Sequence, residues 1–157
     1  MRVKTFVIAV VAAVTMSFPS MAFAEGYFQQ ARSIFLNQVQ KSYVETKSRL
    51  EAGNTDGAKE SCKELHDSVR KLIEVEDKVK ENLAALGDTP ARKAWEDVDK
   101  SSRELNVAAG TLEFEIGKAD AKTSLSNATK SFEELGRAMD KANGVFTDFG
   151  KRWQSVY

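Results

Sequence analysis

Apolar residues recur every three or four positions along most of this chain, which is the spacing of an α-helix with one buried face. Four segments carry the pattern, and short stretches with glycine or polar residues separate them. The spacing predicts helices over about 26–52, 56–86, 90–117 and 124–156. Four such seams of similar length are typical of an all-α fold, an antiparallel up-down-up-down four-helix bundle. A single long coiled-coil hairpin and an obligate dimer of hairpins are the alternatives.

The seams differ in their regularity. In the first segment the apolar positions are Phe28, Ala31, Phe35, Val39, Tyr43, Thr46 and Leu50, at steps of three and four. In the second the steps alternate strictly through Ala58, Cys62, Leu65, Val69, Leu72, Glu76, Val79, Leu83 and Leu86. This alternation is a heptad seam, and Glu76 is its one polar interruption. The third and fourth segments repeat the pattern around Trp95 and around Met139.

Turn-forming residues mark the predicted helix ends. Gly53-Asn54 ends the first helix and Gly87 the second, because these residues accept the left-handed conformation of a C-cap. We predict Thr89 as the N-cap of the third helix and Pro90 as its first residue, where the missing N–H of proline costs nothing. The last break is predicted between residues 117 and 124.

An up-down-up-down order would collect the large rings at one end of the bundle. The residues at that end are Tyr27, Phe28, Phe35, Leu83, Leu86, Trp95, Phe146, Phe149 and Trp153. The opposite end collects smaller side chains, namely Thr46, Leu50, Ala58, Cys62, Ala109, Leu112, Leu125 and Ala128. We interpret both groups as core, because aromatic stripes at helical spacing are usually core. A small-ligand cavity at the thinner end is the alternative.

Residues 1–24 have the three parts of a secretory signal peptide. Arg2 and Lys4 form a positively charged start, and 6–16 is an apolar run of eleven residues. The sequence Ala-Phe-Ala at 22–24 is the small-x-small pattern that signal peptidase accepts. The apolar run is shorter than the roughly twenty residues of a membrane-spanning helix, so we expect cleavage rather than an N-terminal anchor.

Cleavage between Ala24 and Glu25 would leave a single domain over 25–157, exported to the periplasm or secreted and not stably inserted in a membrane. Without Arg2 and Lys4, the 23 basic residues of the chain fall to 21 against 23 acidic ones, a net charge of −2. This balance gives no electrostatic reason to bind nucleic acid or an anionic membrane. With one cysteine in the chain, no intramolecular disulfide is available.

Cys62 and His66 are the only cysteine and histidine, and they stand four residues apart on the second helix. This spacing places a thiol and an imidazole on one face, within reach of one metal ion. The pair is only half of a structural zinc site, which needs four ligands. A b-type haem would need Met139 as the axial partner of His66, and the C-x-x-C-H motif of a c-type haem is missing. We therefore expect no cofactor, with a metal or haem as the alternative.

The third helix has a second apolar stripe on the side opposite its seam. Its residues are Val107, Gly110, Phe114, Gly117 and Ala121. Val107 and Phe114 are predicted to face outward, with glycines beside them that let another backbone approach. Glycine inside a helix costs about 1 kcal/mol relative to alanine, so two of them suggest a packing reason. We predict an interaction face for a protein partner or for self-association; a bent helix or a covering tail is the alternative.

No residue pattern identifies a family, and no complete catalytic constellation or phosphate-binding loop is present. Paired acids such as Glu113/Glu115 and Glu133/Glu134 do not converge on one helical face, so we interpret them as solvated surface. The leading hypothesis is therefore an exported, non-enzymatic binding or interaction protein. A metal- or haem-binding bundle that uses Cys62 and His66 is the second hypothesis, and an enzyme of unknown type is the third.

Overall fold

The computed structural model describes residues 26–118 and 123–153, with side chains from residue 127 onward in the second range. Within these ranges the chain forms four helices and no strand: α1 over 26–51, α2 over Thr55–Ala85, α3 over Thr89–Gly117 and α4 over Thr123–Trp153. The prediction of an all-helical chain with four helices is confirmed. The predicted signal peptide with its cleavage site, Ala121 of the second stripe and the predicted helical residues 154–156 lie outside the described residues.

Polar side chains and glycines define the turns between the first three helices. Gly53 and Gly87 both have φ of 69°, the left-handed conformation expected of them. Asn54 instead caps α2, where its side-chain oxygen accepts a hydrogen bond from the backbone N–H of Gly57 at 3.0 Å. Asp88 caps α3 in the same way, through the N–H of Ala91 at 2.9 Å. The prediction that Thr89 is the N-cap was therefore wrong by one residue; a carboxylate is the stronger cap because it also interacts with the helix dipole.

α1 is not a uniform α-helix, because the stretch Phe35–Val39 is π-helical. Residues four apart in an α-helix differ by about 40° beyond one full turn. The three successive steps of four from Ala31 to Tyr43 would therefore rotate the apolar face by about 120°. A wider π-helical turn takes up part of this rotation, and Phe35 and Val39 both remain buried.

The large rings meet around Trp95, which is fully buried near the start of α3. Its ring centroid lies 6.0 Å from that of Phe28 on α1, and 6.0 and 4.8 Å from those of Phe146 and Phe149 on α4. Edge-to-face geometry predominates, with interplanar angles of 75°, 87° and 71°. Such ring pairs add about 0.5–1.5 kcal/mol each beyond the area they bury. Four of the aromatic residues predicted to lie together, Phe28, Trp95, Phe146 and Phe149, are thus in contact around Trp95.

Neighbouring helices make their contacts in reverse order along the chain. His66 of α2 contacts Glu113 of α3, whereas Asp77, further along α2, contacts Arg103, which comes earlier in α3. Between α1 and α4 the ring pairs are Phe28–Phe149, Phe35–Phe146 and Tyr43–Phe132. From pair to pair, the residue of α1 lies later in the chain and its partner on α4 lies earlier, so these two helices also meet in reverse order.

The end with smaller side chains has a cleft between α1 and α4. The residues that line it are Lys47, Leu50, Glu51, Thr129, Phe132 and Glu133. Its volume of about 180 Å³ is below the roughly 300 Å³ at which ligand sites of ordinary size begin. Ala58, Cys62, Ala109 and Leu112, four of the side chains predicted at this end, are buried in the core. Across the two described ranges, no helix has both the length and the apolar character needed to cross a bilayer.

Candidate functional site

The interface between α2 and α3 contains the chemically distinctive side chains of the chain. Cys62 and His66 lie one turn apart on α2, as predicted from their spacing, and both are buried. The thiol of Cys62 is fully enclosed, with its Sγ 4.0 Å from the backbone oxygen of Ala109 on α3. The two residues therefore share the surface of α2 that packs on α3.

His66 is only 8% exposed, and its partners come from α3. Its Nδ1 lies 2.5 Å from Oε2 of Glu113. The side chain of Glu113 is 38% exposed, so its interpretation as solvated surface holds only in part: α2 supplies a partner that the sequence of α3 does not reveal. Gly110 makes room for the ring: a Cβ atom at that position would lie 3.2 Å from Cε1 of His66.

The environment of Cys62 opposes nucleophilic chemistry. Burial, and secondarily the charge of Glu113, raise the pKa of the Cys62 thiol to about 12. The thiolate is the reactive and metal-binding form of cysteine, so this thiol stays protonated at neutral pH. Among the residues that the structure describes, no three His, Cys, Asp or Glu side chains are placed to hold one metal ion. In the structure, the side chains of the interface between α2 and α3 pack against each other and form hydrogen bonds.

Met139, the other predicted cofactor ligand, lies on a different helix from His66. It is buried on α4, two residues from Lys141, which forms an ion pair with Glu104 of α3. His66 lies instead beside Gly110 of α3. Because α3 and α4 meet in reverse order, Met139 lies level with about residue 106 of α3, roughly four residues or about 6 Å along the helix axis from the level of Gly110.

Glu76 is the most unusual side chain of this interface, and the sequence marked it only as a polar interruption. It is fully buried. One carboxyl oxygen, Oε1, accepts a hydrogen bond from the hydroxyl of Ser102 at 2.7 Å, whereas Oε2 has no protein partner. The indole N–H of Trp95 donates to the backbone oxygen of Glu76 at 3.1 Å. Three hydrogen-bonding groups thus set how α2 and α3 align at this level.

Burial raises the pKa of Glu76 to about 8; the hydrogen bond from Ser102 lowers it and the charge of Asp99 raises it further. Asp99 is itself held by cations, with Nε of Arg103 at 2.8 Å and Nζ of Lys80 at 3.4 Å. At neutral pH the Glu76 carboxyl is therefore mostly protonated, which avoids a buried unpaired charge.

The second stripe of α3 is only partly as predicted. Val107 is 68% exposed and Phe114 is 57% exposed. Nζ of Lys118 lies 3.8 Å from the centre of the Phe114 ring, a cation–π contact at the end of the helix. Gly117 faces open space, but Gly110 packs against His66 and does not belong to the outer face. We call Val107, Phe114 and Gly117 the α3 outer face.

Comparison with family models, with curated proteins and with solved structures found no match to this chain. A function for the protein therefore rests on its own residues and their contacts.

The buried carboxyl of Glu76 predicts a pH-dependent stability. Between pH 4.5 and 8 the folded protein keeps a proton that the unfolded chain has lost, so the free energy of unfolding falls as pH rises, by at most about 1.4 kcal/mol per pH unit. Glu76→Gln should remove this component and unfold at higher urea concentration than wild type at pH 9. The exposed Glu74→Gln is the matched control and should follow wild type. If the free energy of unfolding changed with pH in the same way in wild type and in both variants, the carboxyl of Glu76 would not be buried and protonated as described.

The packing of Gly110 predicts that two glycine substitutions differ. Gly144 lies inside α4 with nothing near its Cβ position, so Gly144→Ala should raise the free energy of unfolding by about 0.5–1 kcal/mol. Gly110→Ala should gain less or destabilise, because the new methyl group displaces the His66 ring. Urea denaturation measures both changes. Equal stabilisation by the two variants would show that His66 does not pack closely on Gly110.

Proposed function

We propose that this chain is exported after cleavage between Ala24 and Glu25 and acts in the periplasm or outside the cell as a non-enzymatic binding or interaction protein. The composition of residues 1–24 supports export. We further propose the antiparallel up-down-up-down order for the bundle, which the reversed sequence of contacts between neighbouring helices supports.

The observation that carries this proposal is the exposure of Val107 and Phe114. They are seven residues apart, two helical turns, and so point from the same side of α3 about 10 Å apart. Exposed aromatic residues are frequent anchors of protein interfaces. Gly117 lies one turn beyond Phe114, and nothing lies close to its Cβ position. Another chain could therefore approach the backbone of α3 closely at this point. The α3 outer face therefore suits contact with a protein partner or with a second copy of the chain.

The state of the interior supports a role without catalysis. The histidine is buried against Glu113, and the thiol of Cys62 is enclosed with a pKa raised to about 12. General acid–base or nucleophilic catalysis needs such groups at a substrate-accessible surface and with a suitable pKa. Binding through surface residues makes no such demand.

Charge substitution on the α3 outer face tests the proposal. The protein isolated from the periplasm should begin at Glu25 and should either self-associate in sedimentation velocity or retain a partner in crosslinking. Phe114→Glu should abolish that association, because the interface would have to bury an unpaired charge. Sedimentation coefficients over a range of concentrations measure the first case, and crosslinked yield measures the second.

Val44→Glu is the matched control, because Val44 is also an exposed apolar residue, at 61%, but lies on α1. It should associate like wild type. Unchanged sedimentation and unchanged crosslinking of Phe114→Glu, or an equal loss in both variants, would count against the α3 outer face.

A metal- or b-type haem-binding role is the second candidate, with Cys62 and His66 as ligands and Met139 for a haem. The specific support is Glu113, whose carboxylate lies beside His66 and whose charge acts on the Cys62 thiol. Its carboxylate is a further donor group near the predicted pair, but in the described structure the three groups are not placed around one position for a metal ion. Binding would require the thiol to lose its proton and the contact between His66 and Glu113 to open.

Spectroscopy and metal analysis test this second role. Protein from the native periplasm should carry stoichiometric metal or a haem absorption band, and added Co²⁺ should give a thiolate-to-metal absorption that Cys62→Ser removes. Lys63→Ser, on the exposed side of the same helix, is the control. A colourless, metal-free protein that gives no such band with Co²⁺ would exclude the metal and haem roles.

A further inference from the structure

The outer side of α3 has a regular helical seam that extends beyond its two exposed apolar residues. The steps along this seam are four, three, four, three and four. Its residues, all exposed, run along α3 to its C-cap: Lys100, Glu104, Val107, Thr111, Phe114 and Lys118. We call these six residues the α3 exposed seam. The same spacing packs α3 within the bundle through its buried side, so the exposed side has the spacing for a helix of another chain.

The order of side chains along the α3 exposed seam is its own complement in the reverse direction. Val107 and Phe114 form an apolar centre, with Thr111 between them. Glu104 precedes this centre and Lys118 follows it, each seven residues from Thr111. In an antiparallel pair about a two-fold axis at Thr111, each residue before the axis faces the residue equally far after it. Glu104 then faces Lys118 of the second copy, and Val107 faces Phe114.

We propose that the chain forms a two-fold symmetric dimer in which the α3 exposed seams of two copies meet antiparallel. This dimer rests on the interaction role proposed for the α3 outer face and names a second copy as the partner. The apolar centres supply the buried surface, and the two ion pairs select the direction. A parallel contact would instead place Glu104 on Glu104 and Lys118 on Lys118. The chain has 23 basic and 23 acidic residues, so two copies carry little net charge that would keep them apart.

Both charged side chains can form this contact while they keep the partners they have within one chain. Lys141 of α4 contacts Glu104 through Oε2, and the Glu104 side chain is still 42% exposed. A carboxylate accepts hydrogen bonds at both oxygens, so it can contact two lysines at once. Nζ of Lys118 lies 3.8 Å from the centre of the Phe114 ring, which holds the ammonium group beside the apolar centre. That group has three N–H donors, and the cation–π contact leaves them available to a carboxylate.

Gly117 fits the same arrangement. It is the last residue of α3, it is exposed, and its Cβ position is open. In the antiparallel pair this turn of the helix faces Glu104 of the second copy. A side chain at position 117 would stand between that carboxylate and Lys118, whereas glycine lets the two meet. This contact gives a reason for a glycine that otherwise weakens the end of the helix.

Charge reversal in the mature protein tests the pairing by sedimentation velocity. Wild type should show a monomer–dimer equilibrium between roughly 10 µM and 1 mM, the range of a small and weak interface. Lys118→Glu should raise the dissociation constant at least about ten-fold, because two opposite-charge contacts in each dimer become like-charge contacts. Glu104→Lys should act in the same direction for the same reason.

Mixing the two variants makes the test specific for the antiparallel pair. In a mixed dimer of Lys118→Glu with Glu104→Lys, each lysine again faces a glutamate, at both contacts. An equimolar mixture should therefore associate within about three-fold of wild type, although neither variant does so alone. The contact of Glu104 with Lys141 cannot produce this recovery, because it lies within one chain and stays lost in Glu104→Lys.

Lys59→Glu is the matched control, since Lys59 is an exposed lysine of α2 and lies outside the α3 exposed seam. It should dimerise as wild type does. Circular dichroism should show equal helix content in all variants, so that a change in association does not reflect unfolding.

Three results would overturn the dimer. The first is a wild type that stays monomeric up to about 1 mM. If that protein still retains a crosslinked partner that Phe114→Glu loses, the interaction role stands and only the second copy is excluded. The second is a mixture of Lys118→Glu and Glu104→Lys that does not recover association. The third is an equal loss in Lys59→Glu, which would indicate general charge attraction. Association that persists in Phe114→Glu would exclude the α3 outer face itself, and the dimer with it.

Discussion

The indole ring of Trp95 is the contact on which the arrangement of the four helices depends. It belongs to α3, donates its N–H to the backbone oxygen of Glu76 on α2, and packs edge-to-face against rings of α1 and α4. A single buried side chain thus touches every other helix. Because its one polar atom has a specific acceptor, the ring is held in one orientation and the surrounding rings pack to fit it.

The same level of the bundle contains its main departure from an apolar core. Glu76 is enclosed beside Trp95, shares a hydrogen bond with Ser102, and stays neutral because burial disfavours its charge. Further along the interface, His66 and Glu113 form a second polar contact between α2 and α3. Polar pairs in a helical interface disfavour slipped alignments, in which their partners would be buried unpaired. The residues with the most distinctive chemistry therefore lie in the interface between α2 and α3 and stabilise it.

Periodicity predicted the four helices well because each helix buries one face, and burial is what the apolar spacing records. The π-helical stretch also had a signal, the three successive steps of four between Ala31 and Tyr43, which an α-helix cannot keep on one face. The N-cap of α3 was misplaced by one residue because Asp88 and Thr89 are adjacent and both are suitable caps. Local sequence determines that a helix begins there, but hydrogen-bond geometry selects which side chain caps it.

The candidate site was less predictable, since its residues meet across helices. The spacing of Cys62 and His66 correctly placed them on one face, but nothing in α2 indicates that Glu113 and Gly110 of α3 complete their surroundings. The sequence of α3 gives no sign that Glu113 has a histidine as its partner, since only the packing of α2 brings His66 to it. The sequence by itself determined the fold class, the helices and the composition of residues 1–24, because these depend on near neighbours along the chain. The tertiary structure decided which polar residues are buried, which pKa values shift and which apolar residues stay exposed, because those properties depend on side chains many turns apart in sequence.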